Sequence, residues 1–414
     1  MIAQKKVAEI RATGHVAVIL ASSLGAIAII RALGKARIPV IVIGLNYHHK
    51  SIYTTVALKA ETKRDVENIL FLLPLLLNMK PVLFTDADDY LEIILANWNR
   101  LEKNYYIPAS ENNYKLINKE RIEEIVDIHN VSALPVAFHK VSDIEKQHYP
   151  VIIKPLSNGD GYKALKEKPK KAYICNNEIE TMDVDIYLKE LNVGYVIQQV
   201  IDGEANTNYS VLLYRNAQGK VEVGFTVRKL RIYPLNFGVS AAVISENNPE
   251  IINQSIAIME LIDFQGIGEF EYKFCRETNT YILLEVNGRF PLQTNVLNQS
   301  NPHFISTVFH DLMNNSTSDV VSNKSVSNIT WIFLLNDIRA IIAEYGKSTL
   351  KLNLITSLTS RVQSAIWSIS DPLPTIYFLK YISDKLYRKR HDKNLYSKMK
   401  SRKKKYYNRT SSEK

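Results

Sequence analysis

Short, wholly apolar runs alternate with helix-periodic segments in the first quarter of the chain, and period-two strands dominate afterwards. His15 to Ala21 reads as a buried strand, Leu24 to Gly34 as a helix and Pro39 to Gly44 as a second buried strand, a βαβ opening. Asp65 to Leu77 predicts another helix, Pro81 to Phe84 a strand, and Asp88 to Asn97 a helix that starts in an acid-rich turn. These elements make a small α/β domain over residues 1–112. The turn from Ala21 to Gly25 lacks the glycine spacing of a dinucleotide site, so plain strand-to-helix packing is expected there.

From Lys119 the pattern changes. A helix is expected over Lys119 to His129, a short strand at Ala137 to His139, and a buried strand from Tyr149 that delivers Lys154 into a glycine-rich loop. Further strands are predicted at Tyr195 to Ile201, Asn208 to Tyr214, Val221 to Lys229 and Val239 to Ile244, with a hairpin turn at Asn216 to Gly219. Pro249 to Ile262 is helix-periodic. The order is α/β first and antiparallel α+β second, giving a second domain over 113–313. Asn314 to Asn328 is rich in Ser, Thr and Asn and reads as a linker. Ile329 to Ala343 looks like a strand running into a helix, and Asp371-Pro-Leu-Pro374 interrupts the apolar runs of Leu350 to Leu379. Residues 314–384 are therefore taken as linker and helical extension, and 385–414 as a basic tail.

Charge changes the picture only at that tail. The chain of 414 residues is 46% hydrophobic and carries a formal charge of +10. Lys385 to Arg409 holds twelve Lys or Arg against Asp392 alone, a net +11, which leaves about −1 for everything else. The body is neutral, and no nucleic-acid reading module accompanies the tail. Two readings of the C-terminal region stay open. Phe378, Leu379, Ile382 and Leu386 at helical spacing, followed by the basic run, suit either an anionic membrane surface or a packed helix with a solvated tail. At a lipid surface each cation contributes about 1 kcal/mol. Val16 to Ile30 imitates a signal peptide but is too short to span a bilayer. Cys175 and Cys275 have no metal or redox spacing and fit a reducing, cytoplasmic setting.

The chemistry concentrates in two stretches, Gly268-Glu-Phe-Glu-Tyr272 and Leu283-Leu-Glu-Val-Asn-Gly-Arg-Phe290, which read as one hairpin turning near Thr278. That turn places Glu271 directly opposite Glu285, with Asn287 following on the same face. Facing like charges destabilise a sheet unless a cation lies between them, and a hard divalent ion with phosphate and water as further ligands suits carboxylate and amide oxygens. Arg289, again on that face, adds positive charge for a phosphate.

Lys119, Lys154 with its loop, the Gln198 to Glu204 segment, the Arg228 to Arg231 cluster and the acidic hairpin together form the parts for holding a nucleoside triphosphate on a metal. In these residues, over roughly Lys119 to Leu312, the sequence resembles the ATP-grasp superfamily, especially its bacterial carboxylate-amine ligase-like branch. The resemblance implies a Rossmann-like pre-ATP-grasp domain followed by a two-lobed ATP-grasp module. It implies that Lys119 and Lys154 contact ATP phosphates and that Ser157, Gly159 and Gly161 belong to the loop covering them. Gln198, Gln199 and Ile201 match the hinge that reads adenine, and Glu204, or Asn206, would take the ribose hydroxyls. Gln199 departs from the pattern, which usually has an acid there, although an amide oxygen still accepts from the adenine amino group. Glu271, Glu285 and Asn287 match the magnesium ligands, for which manganese can substitute. Arg289, Lys229 and Arg231 match catalytic basic positions.

The implied activity is ATP- and magnesium-dependent joining of a small-molecule carboxylate and an amine through an acyl phosphate. The alternative is a nucleotide-binding regulatory protein of the same fold without turnover. No protein nucleophile is required by the first reading.

Overall fold

In the computed structural model the described residues are 2–44, 50–111, 131–156, 172–235, 238–314, 327–346, 361–385 and 387. The expected helix at 119–129, the glycine loop at 157–161 and, apart from 385 and 387, the basic tail lie outside them.

The chain opens with helix α1 (Gln4–Thr13), which sequence reading passes over because it buries only Val7 and Ile10. Strands β1 (Ala17–Leu20), β2 (Val40–Ile43), β3 (Val56–Leu58) and β4 (Val82–Thr85) form a parallel sheet in the order β3-β2-β1-β4. Every residue of β1, β2 and β4 is buried, as parallel strands covered on both faces require. Helix α2 (Leu24–Lys35) crosses one face, and α3 (Lys63–Leu77) packs on the other. Helix α3 starts two residues earlier than its apolar pattern suggests, because Thr62 and Asp65 form a reciprocal capping box. Helices α4 (Asp88–Ala96) and α5 (Trp98–Asn104) complete this layer.

A small antiparallel sheet follows, built from β5 (Ala137–Phe138), β6 (Val151–Pro155), β7 (Tyr173–Cys175) and β8 (Tyr195–Gln199) in the order β5-β8-β6-β7. Helix α6 (Glu178–Glu190) packs Leu188 onto it.

The large sheet has seven strands in the order β13-β12-β9-β10-β11-β14-β15. Its members are β9 (Asn208–Arg215), β10 (Val221–Tyr233), β11 (Val239–Ser245), β12 (Gly266–Cys275), β13 (Thr280–Asn287), β14 (Ile329–Ile332) and β15 (Arg361–Ser364). Helix α7 (Pro249–Leu261) covers one face, where Ile251, Ile258 and Met259 meet Phe270, Tyr272 and Leu283. The other face shares a core with α2 and the parallel sheet: Leu212, Phe225, Val227, Ile267 and Trp331 pack with Ile27, Ile30 and Phe84. Helices α8 (Phe304–Asn314) and α9 (Leu334–Tyr345) flank this layer.

The expected strand running into a helix from Ile329 is present as β14 and α9, but the C-terminal extension is not helical alone. β14 and β15 continue the large sheet, β14 antiparallel to β11 and β15 parallel to β14. Beyond them Asp371 is fully buried and accepts a 2.8 Å hydrogen bond from Arg31 Nε, while Ser51 Oγ and the Ile52 amide bind the same carboxylate. The Asp371-Pro-Leu-Pro374 interruption is thus an anchor, and a helix over 373–385 begins beside it. Phe378 and Ile382 face the core, which fits the packed-helix reading for those two positions. No helix among the described residues is long and apolar enough to cross a membrane.

Candidate functional site

Alternation along β12 decides which side chains meet. Phe270 and Tyr272 point toward α7, so Glu269 and Glu271 point to the opposite face, the one shared with the parallel layer. Glu271 pairs directly with Glu285, and Glu269 with Asn287. A bulge produces this match. From Cys275↔Thr280 to Tyr272↔Leu283 the hairpin runs in one register, which if continued would set Leu284 opposite Glu271. The extra residue shifts β13 by one and brings Glu285 there instead, a use of bulges common beside active sites.

Lys229 of β10 lies on the same face, two residues beyond Val227. Its Nζ donates to Glu271 Oε2 at 2.5 Å across the intervening β9. Burial works against the Lys229 charge, yet Glu271, Glu269 and Glu285 outweigh it and raise its pKa above the ordinary value. Asn287 Nδ2 donates to Glu285 Oε1 at 3.1 Å and to Glu269 Oε2 at 3.4 Å, which leaves its amide oxygen as the end available to a cation. Arg289 donates Nη1 to Glu269 Oε2 at 2.9 Å, and with Nε and Nη2 it grips Asp88 at the start of α4. Burial opposes its charge as well, and Asp88 and Glu269 more than restore it.

Glu269 is almost wholly buried and accepts from Ser210 Oγ and Gln293 Nε2 besides Arg289. Burial first, then the neighbouring Glu271, push its pKa up. This residue was missed in the sequence, although its position two before Glu271 on one strand face was a readable signal. Asp88 was read only as part of a helix start, because its link to Arg289 spans 201 positions.

The acid face gathers Glu269, Glu271, Glu285 and Asp88 with Lys229 and Arg289. No group of three His, Cys, Asp or Glu side chains placed for a metal occurs among the described residues. Magnesium bound with nucleotide needs fewer, since one or two carboxylates suffice beside phosphate oxygens. Glu271, Glu285 and the Asn287 oxygen fit that requirement.

The remaining described positions sit as follows. Lys154, on β6, donates to the buried Gln198 of β8 at 2.8 Å. Gln199 ends β8, its amide bound to the Val136 carbonyl. Ile201 and Glu204 follow, with Glu204 accepting from Asn206 Nδ2. Lys273 of β12 donates to the Gly203 carbonyl at 2.9 Å, which ties this segment to the acidic hairpin. Arg231 forms a two-toothed bond with the buried Asp337 of α9 at 2.6 and 3.1 Å, beyond a register shift between Lys229 and Arg231. Lys119, Ser157, Gly159 and Gly161 lie outside the described residues. At the mouth of α2, the amides of Ser22, Ser23 and Ala26 are all taken by the Asp86 carboxylate, which occupies the helix start where a phosphate would otherwise bind.

No family model matches the sequence, and no curated protein matches it. Solved structures do. An L-amino acid ligase from Bacillus licheniformis superposes with a TM-score of 0.58 at 15% identity, over 76% of this chain and 78% of that one. The biotin carboxylase–β,γ-ATP complex from Campylobacter jejuni gives 0.60 at 12% identity, over 76% and 74%. The chain has an ATP-grasp fold. N5-carboxyaminoimidazole synthetase from Staphylococcus aureus, complexed with ADP, aligns at 0.54 and 14% identity, over 72% and 78%. At such identities the shared property is the fold. In this ATP-grasp chain the acid cluster stands on the strands β12 and β13 at one edge of the large sheet.

Proposed function

We propose that the protein is an ATP-dependent carboxylate-amine ligase. The observation that carries this reading is the facing of Glu271 and Glu285, with Asn287 beside them and Lys229 and Arg289 at the margins. Magnesium held by Glu271, Glu285 and Asn287 would neutralise phosphate charge and orient the triphosphate for in-line transfer. Lys154 lies at a strand end suited to a phosphate oxygen, and the Gln198 to Glu204 segment would hold the nucleoside.

A carboxylate oxygen of the substrate attacks the γ-phosphorus and the bond to the β-phosphate oxygen breaks, giving an acyl phosphate and ADP. An amine then attacks the acyl carbon, phosphate leaves with the bonding pair, and the nitrogen loses a proton to give the amide. Arg289, fixed in direction by Glu269 and Asp88, would stabilise the oxyanion of the tetrahedral species. Lys229 holds Glu271 in place until nucleotide arrives.

Incubation with ATP, magnesium and pooled carboxylates and amines, followed by assay of ADP and of new product masses, tests the reading. Substrate-dependent ADP together with a condensed mass supports it. Nucleotide binding without either outcome argues for a regulatory protein.

A further inference from the structure

The segment that joins β15 to the last described helix carries its apolar side chains outward. Trp367 is 53% exposed and Ile369 is 91% exposed. Fraying does not explain this, because both ends are fixed. Ala365 and Ile366 are buried before it, and Asp371 is buried after it against Arg31. Between them the Trp367 amide donates to Ser364 Oγ, the Asp371 amide to the Ser368 carbonyl, and the Ser368 and Ser370 hydroxyls pair at 3.0 Å. A tight turn thus presents an indole and a branched aliphatic chain at its tip.

The following helix has two faces. Phe378 and Ile382 turn inward, whereas Ile376 and Leu379 are exposed and share the outer side with Lys380. Lys50 stands 5.1 Å over the Tyr377 ring and adds a cation at the same edge. Next in sequence come the twelve cations and single Asp of residues 385–409. Exposed apolar groups this close in sequence mark a contact surface, and a Trp with aliphatic side chains and cations is the composition that suits the lipid headgroup boundary. Two copies of the chain would bring like-charged tails together, and a nucleic acid offers Ile369 no apolar partner.

We propose that the exposed side of residues 367–385 forms a docking face for an anionic lipid bilayer, in which Trp367 and Ile369 enter the headgroup layer while Lys50 and Lys380 meet lipid phosphate, the basic run that follows in sequence adding to the attraction. The contact is superficial, in keeping with the absence of a spanning helix among the described residues. It is independent of the ligase reading, since none of these residues belongs to the acid cluster.

Flotation of the full-length protein with vesicles of phosphatidylcholine, with and without phosphatidylglycerol, tests the proposal. The protein is expected to float with the anionic vesicles and at least roughly tenfold less with the neutral ones. Trp367→Ser with Ile369→Ser is expected to weaken flotation by a similar factor while leaving the melting temperature unchanged. Substituting Arg402, Lys403, Lys404 and Lys405 by Gln should weaken it as well. A blue shift of tryptophan emission on adding anionic vesicles, lost in Trp367→Phe, would place the indole in lipid. Equal binding to neutral vesicles, undiminished flotation of the Trp367/Ile369 variant, or occupation of the face by a second copy in sedimentation would each overturn it, as would preferential capture of RNA over vesicles.

Discussion

Lys229 and Glu271 meet at 2.5 Å although a whole strand, β9, lies between their own strands. The ammonium therefore sits over the sheet face and compensates the acid pair together with Arg289. Replacing Lys229 by Met is expected to lower ADP formation by about a hundredfold, the scale of losing one fixed charge at a phosphoryl-transfer site. The same change should tighten manganese binding by roughly tenfold, because one positive charge is removed beside Glu271 and Glu285. Electron paramagnetic resonance of bound manganese separates the two effects.

Glu285→Gln should abolish ADP formation while circular dichroism and the melting curve stay as in the parent. The side chain is half-buried at a hairpin surface, and its neutral isostere keeps the hydrogen bond from Asn287 Nδ2. Unchanged turnover would remove Glu285 from the site.

Glu222, near the start of β10, is buried with one oxygen that has no hydrogen-bond partner among the described residues. Burial, with Asp311 adding to it, pushes its pKa up to about 7, while Asn301 and Lys220 pull the other way. The folded state therefore holds a proton that the unfolded chain has already released, so stability falls as pH rises from about 4.5 to about 7. Glu222→Gln is expected to stabilise the protein by about 1–3 kcal/mol at pH near 8 and to be close to neutral near pH 5. Urea melts at the two pH values measure this directly.

Asp371→Asn removes a charge that faces a fully buried guanidinium. Loss of roughly 3–5 kcal/mol is expected, the usual cost of stranding one member of a buried ion pair. Chemical denaturation gives the value.

Gly25 marks a close approach: a β-carbon there would lie 2.5 Å from the Pro291 carbonyl oxygen. Gly25→Ala should cost about 1–3 kcal/mol through overpacking. It should also lower turnover, because Pro291 follows Arg289 by two residues and moves with it. Paired assays of melting temperature and ADP formation would show both losses.

Much of this architecture was legible from local pattern. The apolar runs of β1, β2 and β4 announced a covered parallel sheet, and alternation in β12 and over the last residues of β13 announced a hairpin with acids on one face. The pairing of Glu271 with Glu285 followed from the turn position, yet the bulge at Leu284 that makes it hold in the folded hairpin has no sequence mark. Helix α1 escaped notice because its apolar stripe is only two residues deep. β14 running into α9 was legible at Ile329 to Ala343, whereas β15 was not, since its place comes from joining a sheet edge and not from its own periodicity. Partners such as Asp88 for Arg289 and Asp337 for Arg231 are set by topology, over 201 and 106 positions, and no local rule reaches them.

The bond between Arg31 and Asp371 joins positions 340 residues apart. During synthesis the first βαβ unit emerges long before its carboxylate counterpart, so the nascent domain must keep that guanidinium hydrated and its helix α2 loosely seated. Only when the C-terminal segment has been made does the interior close, and the order of translation thereby delays completion of the N-terminal layer until after β12 and β13 exist.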